Sequence, residues 1–212
     1  MMIRLFQPQY IHAPRNFSPV PNQPIYLEIG AGKGKHALLL SEQLFSEQYP
    51  QYQLYAIERT QQKFQVMQQL HQQLQRENLV PIHADAIAWT VHALYPKQVQ
   101  QCFILYPNPE PHNATQRWLN MPFFEYLLSR MADEATITLA SNIAEYIDEA
   151  EQQLQQVWKL PYQRQMIEQT SARTHFEIKY LQRGELCQQL IITKPSGYQT
   201  RFDETLPKLG QA

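Results

Sequence analysis

Apolar positions return along the chain in two rhythms. Short, nearly unbroken apolar runs alternate with longer stretches in which apolar residues recur every third or fourth position. The first rhythm suits strands buried on both faces and the second suits amphipathic helices. Strands are predicted at Ile25 to Ile29, Tyr52 to Ile57, Val80 to His83, Gln101 to Tyr106 and Ala135 to Ala140. A helix from Lys33 to Glu47 has Ala37, Leu38, Leu40, Leu44 and Phe45 as its apolar positions. One from about Thr60 to Arg76 has Phe64, Met67, Leu70 and Leu74. Further helices are predicted from Ala86 to Leu94, Pro122 to Met131 and Ile143 to Trp158, and Tyr162 to Thr193 reads as two strands joined around Arg183 and Gly184. Strands alternating with helices predict an α/β fold, a mostly parallel sheet covered on both faces, with the last pair supplying an antiparallel edge strand. Upstream, Pro8, Pro14, Pro19, Pro21 and Pro24 fix their own backbone and bias their neighbours away from helix. Residues 1–24 therefore read as an extended arm, a loose terminus more than a lid, and residues 25–212 as one domain.

Composition changes this picture in two places. Glycine is scarce, 6 in the chain, yet Gly30, Gly32 and Gly34 fall together. The formal net charge is -1, whereas a protein that binds nucleic acid by neutralising phosphates is normally basic. The abundant glutamines lie in helical stretches that keep their apolar spacing and carry no functional weight. Cys102 and Cys187 sit in apolar runs without metal-ligand spacing, which predicts buried thiols in a reducing cytosol and no metal site. No apolar run has membrane-spanning length and the N-terminus lacks a secretory core, so a cytoplasmic protein is expected with no membrane partner.

The glycines sit in Leu27-Glu28-Ile29-Gly30-Ala31-Gly32-Lys33-Gly34, a strand running into a turn that opens a helix. Glycine there allows a tight turn and close backbone approach to a ligand. Two acids follow at the ends of the next two strands, Glu58 and Asp85. Ionised carboxylates only accept hydrogen bonds, which suits both to the hydroxyl and amino groups of a ligand. In an open α/β sheet, ligands bind beyond the carboxyl ends of the strands, where all three acids fall. The spacing G-x-G-x-G, with Glu28 before it, resembles the first motif of class I S-adenosylmethionine-dependent methyltransferases. That resemblance implies S-adenosyl-L-methionine as cofactor, a Rossmann-like fold with a seven-stranded sheet, and Glu28, Gly30, Gly32, Gly34, Glu58 and Asp85 as the cofactor-binding residues.

After the fourth strand comes Tyr106-Pro107-Asn108-Pro109-Glu110-Pro111-His112, a stiff loop able to hold the Asn108 side chain against a nucleophilic nitrogen. With Thr174-His175-Phe176-Glu177 and the Arg183-Gly184 pair, the chain over about residues 25–194 resembles the bacterial tRNA (guanine-N7)-methyltransferases. The resemblance implies methyl transfer to a guanine ring nitrogen in tRNA, Asn108 at the catalytic position, and His112, Asn142, Thr174, His175, Phe176 and Glu177 on the substrate side. The family's loop reads Phe-Pro-Asp-Pro-Trp followed by basic residues. Here Asn108 replaces the aspartate, Glu110 the tryptophan and His112 a lysine. Asn142 stands for a second aspartate, and His175 for the lysine of Thr-Lys-Phe-Glu. The cofactor acids are kept while substrate-side charges are lost. Together with the near-neutral net charge, this weakens the expectation of tRNA as partner. Arg173, Lys179 and Arg183 form a basic strip that reads as a solvated strand face. Two alternatives stay open: an amino-group N-methyltransferase using the Asn-Pro loop, and a cofactor-binding protein without turnover. Oligomeric state has no signal in the sequence.

Overall fold

Strands and helices alternate from Ile25 onward in the computed structural model, which describes residues 4–14, 17–46 and 52–208. The expected helix end at Glu47, residues 1–3, 15 and 16 of the arm, and residues 209–212 lie outside the described residues, as does the side chain of Phe45. The strands are β1 (Ile25–Ile29), β2 (Gln53–Glu58), β3 (Leu79–His83), β4 (Val99–Leu105), β5 (Met131–Ser141), β6 (Tyr162–Met166) and β7 (Gln188–Thr193). The helices are α1 (Lys35–Ser46), α2 (Gln61–Leu74), α3 (Ala86–Ala93), α4 (Phe123–Arg130), α5 (Ala144–Gln153) and α6 (His175–Gln182). They build a seven-stranded sheet of order β3-β2-β1-β4-β5-β7-β6. β1 to β5 pair in parallel, and β7 runs antiparallel between β5 and the outermost β6. The antiparallel strand thus belongs to the edge pair, with β6 outside it.

The strands serve both faces of the sheet, as their period of two requires. Tyr55 and Ile57 join Leu27, Trp89, Phe124 and Tyr146 in the large core under α3, α4 and α5. Leu54 and Ala56 turn the other way, to Ala37, Leu38 and Met67 of α1 and α2. Leu105, Ala140, Leu181 and Cys187 form a third cluster under α6. Both cysteines are buried free thiols, and burial pushes the Cys102 thiol well above its usual range. Among the described residues, no helix is long and apolar enough to cross a membrane.

Three features depart from the expectation. The segment from Tyr162 to Thr193 holds a helix between its two strands. α6 is capped by Thr174, whose Oγ1 accepts from the Glu177 N–H at 2.9 Å, and the Gly184 N–H donates to Leu181 O at 2.9 Å to close the helix. The glycine ends a helix here; it does not turn a hairpin. Lys179 consequently lies on a helix, and Arg173 precedes it, bonded to Glu177. β5 begins directly after α4, since Met131 is already extended. Glu134, at φ 61°, interrupts the segment before the run that starts at Ala135.

The arm is also packed. Phe6 meets Phe123, Tyr126 and Phe202 at ring-centroid distances of 5.5, 5.4 and 6.2 Å, and Val20 is buried. Gln98 Nε2 donates to the carbonyls of Pro21 and Gln23 at 2.6 and 3.0 Å. The last described residues return to the same region. His92 bonds Ile11 O through Nε2 and Lys208 O through Nδ1 at 3.0 and 2.7 Å, and Lys208 Nζ donates to Gln9 O. Arg130, fully buried, donates to the carbonyls of Leu94, Phe202 and Thr205. Arm and tail are tied to each other and to α3 and α4.

Candidate active site

The carboxyl ends of β1, β2, β3 and β4 open into a cleft of about 650 Å³, a size within the range of small-molecule sites. β1 delivers Glu28 to its floor, buried, with Oε2 accepting from His36 Nδ1 at 3.0 Å. The glycine turn follows. Gly32 takes φ 60°, and a Cβ there would stand in open space on the cleft side, so the backbone itself forms the wall. Gly34 has a different reason: at φ 81°, a Cβ would come within 2.5 Å of Met67 Cγ, so only hydrogen lets α1 close onto α2.

Glu58, at the end of β2 and 5% exposed, braces this turn. Its Oε2 accepts from the Gly32 N–H at 2.9 Å and its Oε1 from the Thr60 N–H at 2.7 Å. Each carboxylate oxygen has a second lone pair, so the residue can hold the turn and a ribose hydroxyl together. Asp85 caps α3, its Oδ1 accepting from the N–H groups of Ile87 and Ala88 at 3.0 and 3.1 Å, which leaves Oδ2 for a ligand. Glu28, Glu58, Asp85, Gly30 and Gly32 line the cleft; Gly34, expected with them, does not, and serves the packing of α1 on α2. These acceptors and the exposed backbone turn fit a cofactor with a ribose, an amino-bearing base and an amino-acid end.

The far wall is the loop after β4. Tyr106 and Glu110, both with side chains, take φ 52° and 46°, a conformation that side chains adopt only when surrounding contacts hold it. Those contacts are present. The Tyr106 N–H donates to Ala140 O at 2.8 Å, and its hydroxyl donates to Glu177 Oε2 at 2.8 Å. Arg117 Nε donates to Pro109 O at 2.9 Å while its guanidinium pairs with Glu149 and Glu145. Asn108, between the anchored points, donates through Nδ2 to Glu110 Oε1 at 2.8 Å.

The substrate-side residues divide. Asn108, Thr174, His175 and Phe176 line the cleft; His112, Asn142 and Glu177 do not. His112 is exposed further along the loop. Asn142 donates to Glu185 Oε2 at 2.7 Å. Glu177 is fully buried, accepting from Ser171 Oγ, Tyr106 Oη and the Arg173 guanidinium. Burial alone would raise its carboxyl, but these hydrogen bonds and the Arg173 charge outweigh it and hold the pKa at about 2. Its work is to fix Tyr106 and the start of α6.

Several lining residues had no single signal in the sequence. Lys33, Lys35, Arg59 and Lys63 line the cleft, and among the described residues none of them is in an ion pair with an acid. Arg76, Arg117, Arg164, Arg173, Arg183 and Arg201 are all so paired. Lys63 lies 5.9 Å from the Phe176 ring centroid, reaching from α2 to α6. Trp118 and Met121 add apolar surface. His36, a buried partner of Glu28, belongs to the same wall.

A parallel sheet with this glycine turn, strand-end acids and crossed edge pair defines a class I methyltransferase fold. The family model described as "Putative methyltransferase" matches residues 22–192. The chain belongs to that family, which holds the tRNA (guanine-N7)-methyltransferases; it is a methyltransferase whose cofactor is S-adenosyl-L-methionine. Among curated proteins, none matches the chain in sequence. Similar solved structures include a SAM-dependent methyltransferase from Aquifex aeolicus, with 13% identity over 82% of this chain and 84% of that one, at a TM-score of 0.54. An rRNA methylase from Streptococcus thermophilus has 12% identity over 82% and 89%, at 0.55. Phosphoethanolamine N-methyltransferase 2 from Haemonchus contortus, solved with S-adenosyl-L-methionine, has 12% identity over 86% and 51%, at 0.51. At such identities these likenesses speak to the fold alone.

Proposed function

We propose that this chain transfers the methyl group of S-adenosylmethionine to a ring nitrogen of guanine in tRNA. The observation that carries the reading is the set of four cations at the cleft, Lys33, Lys35, Arg59 and Lys63, without acidic partners among the described residues, in a chain of net charge -1. A small neutral acceptor has no use for them. A polyanion does, because each phosphate neutralised releases counterions and strengthens binding. The overall charge, which argued against nucleic acid, is an average over surface arginines that are already paired.

The bound cofactor supplies an electrophilic methyl on a sulfonium. Guanine N7 brings a lone pair and no proton, so the new N–C bond forms as the C–S bond breaks and no general base is needed. The protein's task is proximity and orientation. Glu58, Asp85 and the glycine turn hold one partner, and the loop around Asn108 with Thr174 and Phe176 holds the other.

The test is methyl transfer to tRNA from a strain lacking guanine-N7 modification, with the nucleosides identified by mass spectrometry. Cofactor binding with no methylated guanosine would sink the proposal, and methylation of small amines under the same conditions would favour the amino-group reading. The cation set has its own check. Arg59→Ala with Lys63→Ala raises KM for tRNA and leaves cofactor affinity within about threefold. It also flattens the salt dependence of log K by about 0.7–0.9 per lost phosphate contact.

A further inference from the structure

We propose that Glu110 is a positioning residue that fixes which end of the Asn108 amide faces the methyl acceptor, and that it thereby selects guanine. The inference rests on the guanine reading above. An asparagine side chain has nearly the same shape in both flips and opposite polarity at its two ends. Its chemistry is undefined until a neighbour chooses the flip. Glu110 makes that choice, because an ionised carboxylate can only accept. With Asn108 Nδ2 donating to Glu110 Oε1 at 2.8 Å, the reverse flip would press the Oδ1 acceptor against a carboxylate oxygen. Oδ1 is the end left for a ligand, and both residues line the cleft.

The backbone that carries the pair is held from both sides. Pro107 and Pro109 flank Asn108. Tyr106 is held by Ala140 and Glu177 on one side, and the Pro109 carbonyl by Arg117 on the other. Glu110 adopts φ 46° while its carbonyl accepts from the Asn113 N–H at 3.1 Å. An acceptor held in this way matches an N–H. Guanine offers two such donors on its pairing edge, the ring N1–H and the 2-amino group. Adenine presents a ring-nitrogen lone pair there, which a fixed Oδ1 repels.

The pair is tested first without substrate. The Asn108 side-chain NH2 resonances, identified by their absence from the Asn108→Asp spectrum, are expected to move upfield in Glu110→Ala as the bond to the carboxylate is lost. Unmoved resonances overturn the proposal, whatever the protein methylates. The second arm measures kcat and KM on the unmodified tRNA. Asn108→Asp sets two carboxylates against each other and lowers kcat about tenfold or more, with KM for the cofactor unchanged. Adding Glu110→Gln restores a donor–acceptor pair of reversed polarity and recovers most of that loss. Glu110→Ala lowers the ratio of methylated guanosine to methylated adenosine about tenfold. A double variant no better than Asn108→Asp, or an unchanged ratio in Glu110→Ala, overturns the inference. Wild type inactive on tRNA counts against the guanine reading, and the resonance experiment then decides the pair alone.

Discussion

Glu177 shows how a buried carboxylate shapes a site it does not line. Its oxygens accept from Ser171, Tyr106 and Arg173, so one side chain fixes the first residue of the loop after β4 and the segment leading into α6. Because its carboxyl is held at about 2, below the unfolded value, its contribution to stability is fully present above about pH 4.5. That contribution drains away as the pH falls toward 2, and is on the order of 3 kcal/mol. Glu177→Gln should therefore be less stable than wild type at neutral pH, with the gap narrowing on acidification through that window. Denaturant titrations at stepped pH measure it. This role was hidden in the sequence: the segment Thr174 to Glu177 was legible as a motif, but a motif does not say which of its members face inward. That Glu28, Glu58 and Asp85 would gather at one cleft was legible because their order along the chain and their position at strand ends are themselves the signal. The four cleft cations were not, since an unpaired lysine and a paired one look alike until the acids are placed.

At the scale of elements, the strands β1 to β4 and helices α1 to α4 follow the apolar rhythm closely, because each is either buried on both faces or amphipathic. α6 escaped for a physical reason. It has only eight residues, with Glu177 among its few buried positions, so its apolar rhythm is interrupted by a charge. The signal that identifies it is the capping pattern, a threonine followed three residues later by a glutamate, and Thr174 does accept from the Glu177 N–H. Thr174→Ala should cost about 1 kcal/mol of stability, read as a lowered denaturation midpoint. Since Thr174 also lines the cleft, Thr174→Ser keeps the cap and separates that cost from any effect on turnover.

For the whole molecule, a mostly parallel sheet covered on both faces was legible from the alternation of strands and helices, whereas the strand order β3-β2-β1-β4-β5-β7-β6 came only from the structure. The packing of the arm was not legible, because prolines announce extended backbone and say nothing of what it lies against. Phe6 is the anchor, set among Phe123, Tyr126 and Phe202. Phe6→Ala should lower stability by about 1–2 kcal/mol and leave the affinity for S-adenosylhomocysteine unchanged. Calorimetry measures both, and a loss of affinity would show that the arm supports the site as well as the body.

The joining of arm and tail has a practical corollary. No described residue of 4–24 or 195–208 lines the cleft, and the two segments meet through His92, Lys208 and Gln9. Gln9 and Lys208 thus meet at one patch of the body outside the cleft. A substitution at Lys208 would therefore loosen arm and tail together.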